Sequence, residues 1–152
     1  MNAHFLNKRL AYFLGIAGLV PFVALMLGCL LVHPAWLNAF LTGQRAYAIA
    51  ILSFLGGVHW GSAMMADTLS LTQTRKAMLW GITPPLVAWF STIAGGFGFA
   101  VLIAGFVAAY LVDRRLYAWY QMPAWFIRLR MALTAIVVLS LAFTVIITNA
   151  RG

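Results

Sequence analysis

His59 falls inside an uncharged run from about Ala46 to Ala66, and an ionisable group at membrane depth marks a functional candidate because hydrocarbon cannot solvate its charge. At ~1.5 Å of rise per residue it lies about 10 Å from the end of that run. The Pro84-Pro85 doublet of the following apolar run falls at nearly the same height, as do Thr83 and, near the C-terminus, Thr134. The prolines have no amide hydrogen to give, so the carbonyls of Trp80 and Gly81 lose their usual donors. Two readings stay open. In one, His59 is a buried side chain whose N–H mends the proline kink. In the other, His59, Trp60, Ser62, Trp80, Thr83, Pro84 and Thr134 line a polar pocket open towards the cytoplasm.

Other chemistry lacks parts. His33 stands about 20 Å from His59 by the same rise and His4 precedes the first run, so no pair can share a metal or haem. No nucleophile, base and orienter recur together, and no glycine loop with a following lysine opens a helix. The expectation is a non-enzyme with no cofactor and no metal. The two acids are more telling. Asp67 and Asp113 each close an apolar run, where the helix dipole disfavours negative charge, so they require basic partners. Arg128 and Arg130 are the nearest candidates, with Arg75, Lys76 and Arg114 behind them. The plain reading is an interfacial clasp that fixes helix order; the functional one is a gate or docking point.

The elements that position these residues follow from composition. Hydrophobic residues make up 64% and charged residues 8%, against about 45–50% and 25% in a soluble protein. A water-soluble globule of this size cannot hide so much apolar surface. Disorder fails on the same figures, and the single Cys29 excludes a disulfide framework. A membrane helix needs about 20 apolar residues, and the chain offers five such runs, at about 10–33, 46–66, 77–94, 97–112 and 129–148. One helix from Ala77 to Val112 would be about 54 Å long, so Gly95, Gly96 and Gly98 must turn the chain. A barrel is excluded because runs such as Ile136 to Leu139 do not alternate. The expected fold is an all-α, five-helix transmembrane bundle forming one domain over residues 1–152.

Basic residues set the expected orientation. Lys8, Arg9, Arg75, Lys76, Arg114, Arg115, Arg128 and Arg130 fall on one side, and only Arg45 and Arg151 on the other. That places the N-terminus in the cytoplasm and the C-terminus outside. The net charge of +8 is then a topology signal and an attraction to anionic lipid, not a nucleic-acid surface. The first run is too long for a cleaved signal peptide. Pro34-Ala35-Trp36 and Pro123-Ala124-Trp125 fit helix starts, and the aromatic stretch from Leu116 to Ile127 reads as an interfacial segment before the last helix. Ser53, Gly57 and Gly61 recur every four residues as a stripe for close helix packing, and Ser140, Thr144 and Thr148 form a second stripe able to bond across helices.

The string from Ser53 through Phe54, Leu55, Gly56, Gly57, Val58, His59 and Trp60 to Gly61, the Pro84 to Trp89 segment, Asp113, and the stretch from Pro123 to Thr134 resemble the transmembrane protein 69-like family, a domain of unknown function in bacteria and mitochondria. The resemblance spans nearly the whole chain. It implies a small multi-pass protein of the bacterial inner membrane with no established activity, and it supplies no catalytic residues.

Two functions remain. The first is a non-enzymatic accessory or assembly factor acting through helix contacts with a membrane partner or a second copy. The second is a small-molecule binder or transporter with its pocket around His59, similar in architecture to tryptophan-rich sensory proteins.

Overall fold

In the computed structural model, which describes residues 8–151, every long apolar run is helical. His4 lies outside the described residues. The helices are α1 (Lys8–Leu31), α2 (Pro34–Met65), α3 (Leu71–Ile93), α4 (Gly98–Trp119) and α5 (Ala124–Arg151), with a single turn of 3₁₀ helix at Gly95–Phe97. By length and composition α1, α2, α5 and the segment Gly95–Trp119 can each cross a membrane. At 23 residues α3 is long enough, but Arg75, Lys76 and the Pro84-Pro85 pair make it less apolar. It packs along α2 and α4.

Several boundaries differ from those expected, each for a local reason. The second helix starts twelve residues early, at Pro34 and not Ala46. Pro34 occupies its first position, and the His33 ring accepts the Ala35 N–H at 3.3 Å, so the Pro-Ala-Trp element is itself the helix start. Arg45 therefore sits inside a helix. The third helix starts at Leu71 because Ser70 and Gln73 form a capping box, at 3.3 and 2.9 Å. The fourth continues past Val112 to Trp119, so Asp113 is an interior helical residue and not a terminal one.

The interfacial segment expected at Leu116 to Ile127 is instead the corner between α4 and α5. Gln121, at φ 53°, reverses the chain. The Met122 N–H returns to the Tyr117 carbonyl at 3.0 Å and the Gln121 N–H to Ala118 at 3.2 Å, which is a Schellman closure. Leu116, Tyr117 and Tyr120 point inward and are buried. Gly95, at φ +56°, turns the chain between α3 and α4 where the glycines were expected to.

Helix α2 is the hub, packing on α1, α3 and α4, while α5 packs on α1 and α4. One apolar core lies mid-bundle around Phe22, Leu52, Leu102, Phe106 and Leu141. A second, around Ala63, Ala77, Leu116, Tyr117 and Tyr120, fills the end near the α4–α5 corner. Helices α1 and α5 run parallel: Tyr12 packs on Trp125 near their starts, and Arg151 donates to the carbonyls of Cys29, Leu30 and Val32 at the end of α1. Lys8 and Arg151 thus lie at opposite ends of the bundle.

The packing stripe expected on α2 is displaced by one residue. Gly57 and Gly61 are exposed with nothing near them, and Ser53 is only half-buried. The inward row is Leu52, Gly56, His59 and Ala63. A Cβ on Gly56 would run into the Gly81 carbonyl oxygen and lie 2.7 Å from Pro85 Cδ. That carbonyl is the one Pro85 deprives of its helical donor, and the bare Gly56 Cα takes the place beside it. On α5, Thr144 and Thr148 bond back to Ser140 and Thr144 carbonyls at 2.9 and 2.7 Å, within the helix and not across it.

Candidate functional site

Three helices bring their polar side chains to one point. His59 of α2 donates from Nε2 to Asp113 Oδ1 of α4 at 2.7 Å. Arg130 Nε of α5 donates to Asp113 Oδ2 at 3.0 Å, and its Nη1 to Thr134 Oγ1 at 2.6 Å. His59 and Asp113 are 0% and 1% exposed, and Arg130 is 7% exposed. With Nε2–H engaged by the carboxylate, Nδ1 is left to accept from the Tyr120 hydroxyl, 3.5 Å away. Burial and the Asp113 charge hold the Tyr120 phenol up at about 12, so it keeps the proton it donates. The Tyr117 ring stacks on the imidazole at 5.4 Å between centroids and 23° between planes.

This arrangement corrects both readings of His59. The ring neither mends the proline kink nor faces an open polar pocket; it is walled in by Asp113, Tyr117 and Tyr120. Of the other expected pocket residues, only Thr134 joins it, through Arg130. Trp60 is 40% exposed and donates to the Met78 carbonyl at 2.9 Å, on the α3 side. Thr83 bonds back to Leu79 within α3 at 3.3 Å. Pro84 is buried and Ser62 half-buried, while half-buried Trp80 packs against the cluster that holds Tyr117 and Tyr120 without a hydrogen bond to the imidazole.

The clasp forms in part. Asp113 and Arg130 pair, but deep in the bundle and not at the surface. Asp67 sits in the exposed turn after α2 and Arg128 on the outer face of α5, and neither makes an ion pair among the described residues. The physical reason is helix phase: Arg128 and Arg130 are 200° apart at 100° per residue, roughly on opposite faces. Spacing did not reveal Tyr117 and Tyr120 as partners of His59. The signal was available, since both follow Asp113 at helical intervals of four and seven.

Arg130 also lines a cavity of about 320 Å³ between α1, α2, α4 and α5. Its other walls are apolar or glycine: Gly18 and Phe22 on α1, Phe54 on α2, Phe106 on α4 and Leu133 on α5 among them. Leu14 and Phe54, 59% and 64% exposed, stand at its lipid side. Arg130 Nη2 is buried and makes no well-formed hydrogen bond, the Tyr117 hydroxyl being the polar group nearby. No group of metal-ligating side chains occurs among the described residues.

Comparison with known proteins agrees with this architecture. The family model described as "Protein of unknown function (DUF3429)" matches residues 7–146. Transmembrane protein 69 of Xenopus tropicalis is 34% identical over 150 residues, covering 90% of this chain and 53% of that protein. Transmembrane protein 69 of Mus musculus is 26% identical over 152 residues, covering 94% and 58%. The chain thus spans little more than half the length of these relatives. No solved structure matches it. A multi-pass helical membrane protein, the chain belongs to the DUF3429 family of unknown function, the transmembrane protein 69-like proteins.

Proposed function

We propose that the protein is a non-enzymatic binder of a lipid-soluble small molecule, taken up sideways from the bilayer into the cavity beside Arg130. One observation carries the reading: an apolar cavity whose single charged wall residue, Arg130, has a buried Nη2 without a well-formed hydrogen bond. A buried donor left unpaired costs about 1–3 kcal/mol, and an acceptor oxygen on a bound molecule would relieve it. Asp113 and Arg130 already cancel in charge, so an anionic head would bring an unpaired charge into the bundle while a carbonyl would not. The ligand is therefore a neutral molecule with a carbonyl head and an apolar body. The residence is the bacterial inner membrane, with the basic end of the bundle in the cytoplasm.

A decyl-substituted benzoquinone is a suitable probe. It should raise the melting temperature of the detergent-solubilised protein by several degrees, and Gly18→Leu, which fills the cavity, should abolish the shift. A Cβ at Gly18 meets only the Tyr47 hydroxyl, at 3.9 Å, so a side chain can leave the backbone there without a clash. Equal shifts in both proteins would refute the reading.

A second reading, an accessory or assembly factor, is favoured by the exposed Gly57 and Gly61, which leave a smooth face on α2 for a partner helix or a second copy. Gly57→Leu would then abolish recovery of that partner in mild detergent; unchanged recovery would count against it.

A further inference from the structure

Among the described residues Arg45, a permanent cation, has no carboxylate partner. Of the two acidic side chains, Asp113 is engaged by Arg130 and His59, and Asp67 lies in the turn beyond the far end of α2, which is about 30 Å from Arg45 at the helical rise. Arg45 is half-buried, its Nη2 donating to the Ser91 carbonyl near the end of α3, and its Nε is buried with no partner. The guanidinium lies against Gly98 at the start of α4, where a Cβ would run into it. Beside it opens a cavity of about 360 Å³ whose polar walls come from Asn38 and Thr42 on α2 and Thr148 and Asn149 on α5. A charge partly removed from water and met only by a carbonyl dipole is incompletely compensated.

We propose that this cavity is a binding site for a phosphate-type anion, held by Arg45 with the Asn38, Thr42 and Asn149 side chains as further donors. It is distinct from the Arg130 cavity and stands whether or not that one binds a ligand. Arg45 is level with the turn between α3 and α4, where a bilayer's headgroups lie, and Phe99 and Val145 form an apolar wall beside the polar one. A lipid phosphodiester presents both chemistries at that level; free phosphate presents only the first.

The test measures thermal unfolding of the full chain in a neutral detergent with three additions: dioleoylphosphatidylglycerol, inorganic phosphate, and chloride at matched ionic strength. Phosphatidylglycerol should raise the melting temperature by several degrees with chloride inert; Arg45→Gln should remove the rise and Arg45→Lys restore part of it. Thr42→Val with Asn149→Leu leaves the Ser91 contact intact and should weaken lipid binding about tenfold without changing the unliganded melting temperature. An Arg45-dependent shift with inorganic phosphate as well supports the site and makes its anion a soluble one too. If Arg45 serves only to tie down Ser91, Arg45→Gln will lower the melting temperature equally with and without either anion, and the Thr42/Asn149 variant will bind phosphatidylglycerol as wild type does. Either result overturns the proposal.

Discussion

At the scale of the residue, two neighbouring glycines carry opposite expectations. Gly56→Ala would push a methyl into the Gly81 carbonyl and the Pro85 ring, backbone and a rigid side chain that cannot step aside, and should cost about 1–3 kcal/mol as overpacking does. Gly57→Ala meets open space on a helix and should be neutral or stabilising by up to about 1 kcal/mol. Thermal unfolding in detergent distinguishes them; equal effects would mean that α2 is turned differently. The period of four in this stretch was readable from the sequence. Its phase was not, because Gly56 and Gly57 are both small and only the partner helix decides which one faces inward. His59 was legible as the polar residue of a clean apolar run, whereas its partner was placed at the membrane surface.

At the scale of the element, that misplacement has a simple cause. A charged residue was taken to end a span, but α4 keeps its hydrogen bonds for six more residues beyond Asp113, through Trp119, because Asp113 turns inward to a cation while Arg114 and Arg115 turn outward. Charge ends a membrane helix only when it has nowhere to go inside. The α4–α5 corner makes a separate prediction. Gln121 holds a left-handed conformation without glycine, at a cost of about 1 kcal/mol. Gln121→Gly should therefore stabilise the protein by up to that amount, read as a higher melting temperature. At the opposite end, Arg151 ties α5 to the last carbonyls of α1. Arg151→Ala should lower stability by about 1 kcal/mol and make the end of α1 easier to cut by protease.

At the scale of the whole molecule, composition alone fixed the solvent and the helical class, and the glycine turn fixed where α3 and α4 part. Parallel α1 and α5 put the chain ends at opposite ends of the bundle, so labelling of cysteines placed at Lys8 and Arg151 should find them in different compartments. What joins the helices could not be read from spacing, since His59, Asp113 and Arg130 come from three helices and meet only after packing. Their cluster ties α2 to α4 and α4 to α5, and through Arg130 it supplies the charged wall of the apolar cavity.

The most direct test is therefore a double-mutant cycle across the buried pair. Asp113→Asn and Arg130→Met, measured singly by reversible unfolding in detergent, should each cost about 3–5 kcal/mol, because each strands a charge inside the bundle. The double variant should recover most of that loss, giving a coupling of several kcal/mol. Single variants that unfold like the wild type, or losses that simply add in the double variant, would contradict a buried ion pair at the centre of this protein.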